Sequence, residues 1–346
     1  MLQPKFLLYV SYKYGFPIVR PLQDELIKRG YEVAWFIEIE ENKKFLKTND
    51  YLLNSIEEVL EYDADINLVS SNEIPHFFPG IKVQVFHGFS VDKRSHKKGH
   101  FRIRGLFDLY CTQGPSTTRE FKKLSYKHKH FDVIETGWSK VDDLFPIQKK
   151  ENIRPIILLA STFTKSMSLA HDDEVFEEVK RIIKLNNWDW LITLHPKMDA
   201  EIVDKFKSIK EKNVTYIENL NDLEPLKIAD VMLSDTSSVI TEFLIQHKPV
   251  VTYKNKNPKN HLINIKAADE IKQSILTALK LPKELMGNIK SYVDEIHPYN
   301  DGKSSARVID ATLLFIRENR KKRLKSKPLN FIRKYKMCKK FKYFKL

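Results

Sequence analysis

The sequence predicts an α/β protein made of two doubly wound parallel sheets, and three observations carry that prediction. Short apolar runs alternate with amphipathic helical patterns along almost the whole chain; the runs fall into two series parted by a break near Pro146; and polar residues follow at once on four of the runs. Runs that are apolar at successive positions require burial on both faces, the condition of a parallel sheet covered by helices.

In the first series the strands read as Phe6–Val10, Val33–Ile37, Ile66–Val69, Val83–Phe86, Phe107–Cys111 and Val133–Thr136. The first of them leads through the loop Ser11–Pro17 into a helix from about Ile18, with Pro21 near its first turn and Gly30 as its stop. There is no G-x-G-x-x-G here, so a dinucleotide fingerprint is absent. Gly15 and Pro17 either shape a simple turn or open the loop onto an acceptor. The second series reads as Ile156–Ala160, Leu191–Leu194, Val214–Ile217, Val231–Leu233 and Val250–Tyr253, with helices at about 172–186, 199–210 and 238–246. The organisation expected is a first domain over 1–147, a second over 148–300, a closing helix over 301–316 near the interdomain hinge, and a basic tail over 317–346. Ligands are expected in the cleft between the domains.

Of 346 residues, 59 are Lys or Arg and 45 Asp or Glu, a formal charge of +14. From Arg317 to Leu346 fourteen basic residues face the single acid Glu318, so the tail carries +13 and the rest of the chain only +1. A nucleic-acid-binding body needs basic residues spread over a face, and the near-neutral body argues against it. Cys111 and Cys338 make neither a disulfide framework nor a C-x-x-C knuckle, which fits a reducing cytosol. The run Phe6–Val10 lies too close to Ser11, Tyr12 and Lys13 for a signal-peptide core, and no stretch approaches the ~20 apolar residues of a membrane span. A soluble or peripheral protein is expected.

Four motifs stand at strand ends: His87-Gly88, Ser161-Thr162, His195-Pro196 and Ser234-Asp235-Thr236-Ser237-Ser238. The carboxyl edge of an open α/β sheet is where ligands bind, so four segments bring imidazole, hydroxyl and carboxylate groups to one rim. The hydroxyl-rich turn at 234–238 before a helix suits a phosphate or diphosphate. It equally suits an N-cap, with Glu242 near a capping-box position, worth ~1 kcal/mol without any ligand. His87 and His195 either satisfy the fold or, with a pKa near 6.5, take a proton from an attacking hydroxyl or hold a phosphate oxygen. Lys93 and Arg94 belong to a basic loop with His96, Lys97, Lys98, His100, Arg102 and Arg104, which is either a solvated face or an attraction for a polyanionic acceptor. No C/H cluster or H-E-x-x-H run marks a metal site.

With Thr136-Gly137-Trp138, Asp142-Asp143-Leu144-Phe145 and Asp301-Gly302-Lys303-Ser304-Ser305-Ala306-Arg307, these motifs form an ordered set over about residues 80–316. The set resembles the CDP-glycerol:poly(glycerophosphate) glycerophosphotransferases, the primases and polymerases of teichoic-acid and related capsule synthesis. The resemblance implies a GT-B fold, two Rossmann-like domains with the donor bound mainly by the second. It also implies transfer of glycerol phosphate from CDP-glycerol to an acceptor hydroxyl with release of CMP. Carried over, His87 is the general-base candidate and His195 contacts donor phosphate. Asp235, Ser237 and Ser238 hold the diphosphate and glycerol end, and Ser161, Thr162, Thr236 and Glu242 complete the expected donor set. Gly15, Gly88, Lys93 and Arg94 are the acceptor-side candidates. Gly137, Asp301, Ser305 and Arg307 are hinge or donor-side support, with a helix cap ahead of the stripe Val308, Ala311, Thr312 and Phe315 as the alternative. The segment Ile157–Lys165 departs from the family's Pro-Thr-Trp-Arg-like stretch, Glu242 replaces a common aspartate, and Phe89-Ser90-Val91-Asp92-Lys93 follows His87-Gly88 in place of Thr-Pro-Leu-Lys. CDP-ribitol, another CDP-alditol or a nucleotide sugar therefore stay open as donors.

The expected partners are a CDP-activated donor and a polyol-phosphate, glycan or lipid-linked acceptor, with no separate cofactor, no metal and no nucleic acid. The rivals are a nucleotide-sugar glycosyltransferase of capsule or lipopolysaccharide synthesis, a UDP-sugar 2-epimerase, and a non-enzymatic nucleic-acid or anionic-surface binding module. The epimerases carry Asp-Ser-Gly-Gly where this chain has Asp235-Thr236-Ser237-Ser238, which disfavours them. In the tail, Phe331, Tyr335, Cys338 and Phe341, then Phe344, recur at helical spacing among basic residues. That pattern fits either an interfacial helix on an anionic membrane, on the cytoplasmic face where lipid-linked acceptors are assembled, or a solvated disordered tail.

Overall fold

The apolar runs form two six-stranded parallel sheets in a computed structural model that describes residues 3–89, 99–147, 152–218 and 223–344. The first sheet holds β1 (Phe6–Val10), β2 (Val33–Ile37), β3 (Ile66–Val69), β4 (Ile81–Gln84), β5 (Leu109–Thr112) and β6 (Asp132–Glu135), in the order β2-β1-β3-β4-β5-β6. Helices α1 (Phe16–Lys28), α2 (Ile56–Tyr62) and α3 (Pro115–His128) connect its strands. The second sheet holds β7 (Ile156–Ser161), β8 (Asp189–Leu194), β9 (Val214–Tyr216), β10 (Val231–Ser234), β11 (Val250–Tyr253) and β12 (Ile263–Ile265), in the order β12-β11-β10-β7-β8-β9. With it go α4 (Asp173–Leu185), α5 (Ala200–Lys207), α6 (Glu224–Ile228), α7 (Val239–Leu244), α8 (Glu270–Leu279) and α9 (Lys283–Ile296). This is the GT-B-type pair of doubly wound sheets that the sequence predicts.

Both sheets reverse direction once, the first between β1 and β3 and the second between β7 and β10. At such switch points neighbouring strands send their following loops to opposite faces, and a crevice opens at the carboxyl edge. The central strands are buried at every position of β1, β3, β4 and β10, as a sheet covered on both faces requires, and β4 buries Lys82 and Gln84 with its apolar residues. On α4, Val175, Phe176, Val179, Ile182 and Ile183 form the buried stripe against the second sheet.

The chain divides into two compact units, Met1–Asp142 with Asp301–Leu346, and Asp143–Asn300. Several local expectations shift. Helix α1 begins at Phe16, which puts Pro17 in its first turn and Pro21 inside the helix. The hydroxyl turn is followed by a helix of only six residues, α7, whose Ser238 makes no side-chain cap bond. Strand β12 is three residues long at a sheet edge, too short to give a pattern of its own.

The return to the first unit starts at α10 (Ser304–Arg317), which buries Val308, Ala311, Thr312 and Phe315. Its first turn is capped by Asp142: the carboxylate accepts from Ser304 N at 2.8 Å, Ser305 N at 2.7 Å and Ser305 Oγ at 2.7 Å. Asp301 pairs with Arg307 beside it. The closing motif thus begins where the chain re-enters the first unit and anchors a helix there, the capping alternative expected of Asp301, Ser305 and Arg307, with Asp142 as the acceptor. After α11 (Arg320–Arg323) the tail runs back over the first unit. Lys325 N donates to Lys129 O at 2.8 Å, and Lys327 Nζ reaches the buried Asp108 at 2.7 Å. Pro328 fills the space where a side chain on Gly105 would stand. In α12 (Phe331–Phe341), Met337 is buried and Phe341 packs with Phe36 and Phe77, while Phe331, Ile332 and Tyr335 face solvent.

Replacing Asp142 by Ala removes an acceptor shared by two backbone amides and a hydroxyl, at a cost of ~2 kcal/mol. Hydrogen exchange at Ser304 and Ser305 should accelerate and the unfolding midpoint fall, with Asp142→Asn less affected; unchanged exchange there would refute the capping role.

Candidate active site

The first unit's rim lies past the carboxyl ends of β1, β3 and β4. Ser11, the residue after β1, donates to Glu38 at 3.1 Å and to Ser71 at 3.2 Å, so the loops that diverge at the switch point are tied by hydroxyls. Tyr9 also donates to Glu38, and burial followed by that carboxylate holds its phenol well above the usual range. Gly15 sits against this rim, where an added Cβ would come within 2.7 Å of Ser70 Oγ and 3.0 Å of Val10. Only glycine lets the loop pass so close.

His87 follows β4 on a strained backbone. Phe86 adopts φ 58, a left-handed conformation that costs a bulky residue ~1–3 kcal/mol, and it is held by rings: His100 stacks on it at 4.8 Å and Phe121 lies at 5.0 Å. The turn points the imidazole outward. His87 Nδ1 lies 3.3 Å from Ser70 O, a carbonyl that can only accept, so the neutral ring carries its proton on Nδ1 and leaves Nε2 as the basic nitrogen. Desolvation by the surrounding packing, with Arg104 nearby, pulls His87 below the usual histidine range, against the opposing effect of Ser70 O. Burial drives His100 further, to about 4. Gly88 faces open space at its Cα, and its carbonyl accepts from Gln113 Nε2 at 2.8 Å. Tyr14 lies beside His87 with ring centroids 5.3 Å apart. Lys93 and Arg94 lie outside the described residues. Gly137 takes a positive φ after β6, remote from these contacts in sequence.

In the second unit the switch point is organised by Asp235. Its carboxylate is fully buried and accepts from Ser161 Oγ at 2.7 Å, Thr162 N at 3.1 Å and Leu169 N at 3.1 Å. Its own carbonyl accepts from Asn255 Nδ2 at 2.9 Å. Asp235 and Ser161, expected to touch a donor, are spent inside the protein and shape the loops that stand above them. Glu242 is buried in α7. The groups left toward the rim are Thr162, Thr236, Ser237 and the exposed Ser238. Thr236 Oγ1 is buried with no hydrogen-bond partner among the described residues, an unspent donor at the turn.

His195 is joined to the same loop by its backbone, His195 N donating to Ser161 O at 3.1 Å. Its ring stands 4.5 Å from that of Phe163, and its Nδ1 accepts from Lys197 N at 3.1 Å. An N–H can only donate, so the neutral ring carries its proton on Nε2. The structure therefore groups Ser161, Thr162, His195, Asp235 and Thr236 in one unit, and Gly15, His87 and Gly88 in the other. Sequence reasoning missed Ser70, Tyr14, Gln113 and the anchoring task of Asp142. Ser70-Ser71 follows the apolar run Ile66–Val69 as Ser161-Thr162 follows Ile156–Ala160, and that signal was available.

Comparison with known proteins gives a match to the family model described as UDP-N-acetylglucosamine 2-epimerase over residues 129–313. Among curated relatives, the teichoic acid glycerol-phosphate primase of Bacillus subtilis is 29% identical over 219 residues, 58% of this chain and 56% of that protein. The teichoic acid ribitol-phosphate polymerase TarL of Staphylococcus aureus is 27% identical over 265 residues, 66% of this chain and 46% of that protein. The chain thus spans about half the length of these relatives. Among solved structures, a putative UDP-N-acetylglucosamine 2-epimerase from Listeria monocytogenes shares the fold at a TM-score of 0.67 and 15% identity, covering 92% of this chain and 98% of that one. The wall teichoic acid polymerase TagF does so at 0.64 and 14%, covering 91% and 90%.

Asp235→Ala should destabilise the second unit by ~3 kcal/mol, because it strands a hydroxyl and two amides in a dry site. Urea unfolding and amide exchange at Thr162 and Leu169 measure it; a loss under about 0.5 kcal/mol would remove Asp235 from its organising place.

Proposed function

The chain belongs to the UDP-N-acetylglucosamine 2-epimerase family and, with the teichoic acid primases and polymerases, to the glycerophosphotransferases that share its fold; from that premise we propose that it transfers an alditol phosphate, glycerol phosphate first, from a CDP-activated donor to an acceptor hydroxyl. The observation that carries this reading is the opposite tautomers of the two histidines. His87 is fixed by a carbonyl and offers a lone pair; His195 is fixed by an amide N–H and offers a proton.

In the proposed step the acceptor oxygen attacks the phosphorus that bears glycerol. His87 Nε2 takes the hydroxyl proton as the new P–O bond forms, and the bond to the CMP oxygen breaks with its electrons leaving on CMP. His195 Nε2–H and the hydroxyls of Ser237 and Ser238 donate to phosphate oxygens, which gain charge as CMP departs. Asp235, bonded to Ser161 Oγ and Thr162 N, holds the donor loop at its height.

The second reading is a UDP-sugar enzyme, favoured by the family model and the epimerase folds. Nucleotide binding separates the two, because a ligand that binds only the folded state raises the unfolding midpoint. CDP and CMP should raise it more than UDP and UMP, and the reverse order would overturn the CDP reading.

We further propose that the first unit meets an anionic membrane through the tail, whose outward residues Leu329, Phe331, Ile332, Tyr335 and Phe344 are 60–75% exposed among lysines and arginines. Deleting 317–346 would uncover Asp108 and Phe77, so the informative variant changes only the outward face. Phe331→Ser with Ile332→Ser should weaken sedimentation with phosphatidylglycerol vesicles at least tenfold while thermal stability stays within about 2 °C; undiminished sedimentation would refute this surface.

His87→Ala and His195→Ala should each lower CMP release from CDP-glycerol by ~10²–10⁴. Because His87 titrates below the usual 6.5, the rate should rise with pH only at the acid end and stay level from about pH 7 to 8. Activity within a few-fold of wild type in both variants would sink the assignment.

A further inference from the structure

Two aromatic rings stand exposed beside His87 without a task in the fold. Tyr12 and Tyr14 flank Lys13 in the short turn Lys13–Gly15, and their rings stack at 5.4 Å and 19°. They are 50% and 44% exposed, in a rim whose other large side chains, Phe16, Phe86 and Phe89, are buried. The turn is held in place: Gly15 N donates to Tyr12 O at 2.9 Å, and Gly15 abuts Ser70, the residue whose carbonyl orients His87. The platform and the basic nitrogen are therefore positioned by the same few atoms.

Three cations of this corner, among the described residues, already have partners. Lys13 lies over the ring of Phe45, Arg20 is ion-paired with Asp50, and Lys340 is paired with Glu38. Tyr14 keeps its phenol proton well beyond neutral pH, pushed up to about 12 by burial and by Tyr12 and Glu38. The patch thus offers flat apolar faces and hydroxyl groups. An open-chain polyol phosphate gains little from such a surface, since it has no ring face to stack. A neutral pyranose presents one side of C–H bonds that covers an aromatic ring and a rim of hydroxyls for hydrogen bonds.

We propose that Tyr12 and Tyr14 are an acceptor subsite that takes the C–H face of a hexopyranose ring, and that the hydroxyl delivered to His87 belongs to a sugar. This deepens the transferase reading and rests on it: the acceptor class becomes a glycan end, with the linear polyol phosphate as the competing acceptor.

The test uses the full chain and saturation-transfer difference NMR with two probes, methyl hexopyranosides and di(glycerol phosphate). Ring C–H protons of a hexopyranoside should receive saturation from the wild type, fall about fivefold or more in Tyr12→Ala and Tyr14→Ala, and recover in Tyr14→Phe. His87→Ala should keep the signal, so ring binding stays readable even if the transfer chemistry proves wrong. Equal saturation in wild type and both alanine variants, saturation of di(glycerol phosphate) alone, or none with either probe would each overturn the subsite.

Discussion

A carboxylate buried where the second sheet reverses direction governs the architecture of that unit. At a switch point two adjacent strands send their loops apart, and nothing in the ladder itself decides how the loops then stand. Asp235 supplies the missing constraint: from the end of β10 it reaches the end of β7 and accepts from Ser161, Thr162 and Leu169 together. A charge held in so dry a place is tolerable only because each oxygen is satisfied by short donors. The first unit solves the same problem with hydroxyls, Ser11 to Ser71 across the reversal and Ser11 and Tyr9 to Glu38 beside it. In both units the groups that hold the loops lie one layer below those that face outward.

That layering explains what could be read from the sequence and what could not. The strands were legible because β1 is apolar throughout and β3 and β10 each carry a single polar residue, Asn67 and Ser234, in an otherwise apolar run, a pattern with one physical cause. The polar residues at their ends were legible as a group, since they follow the strands directly. Which of them point inward was not, because Ser-Asp-Thr-Ser-Ser has the same composition whether its aspartate meets a phosphate or a neighbouring loop. Asp142 shows the same limit from another side. A helix cap is ordinarily sought at the position before the helix, but the acceptor for Ser304 and Ser305 stands more than 160 residues upstream. Pro21 reads as a first-turn residue until the preceding turn at Lys13–Gly15 lets α1 begin at Phe16.

The charge of the tail has two uses that composition does not separate. Lys327 enters the unit to reach Asp108, close enough to Lys82 that burial and the second cation together push Lys82 down to about 7. Asp108 thus takes the ammonium of Lys327 and the backbone N–H of Lys82, while the Lys82 ammonium donates to Phe78 O and Gly80 O. The helix that follows divides its apolar residues between two directions, Met337 and Phe341 inward and Phe331, Ile332 and Tyr335 outward. A helix needing only to cover the sheet would leave its outer side polar; a helix free in solution would not bury Met337.

The two histidines show how little is needed to give one residue type opposite chemical characters. Both are imidazoles at strand ends, and a sequence cannot separate them. Their Nδ1 partners do. Ser70, at the end of β3, presents a carbonyl, and Lys197 presents an amide because the turn after His195 brings its N–H back onto the ring. Each backbone group fixes which nitrogen holds the proton, so the far nitrogen becomes a base in one ring and a hydrogen-bond donor in the other. Desolvation then shifts His87 below the usual histidine range, which favours the lone pair that the carbonyl contact exposes. Swapping the two side chains would change nothing, since the polarity belongs to the loops.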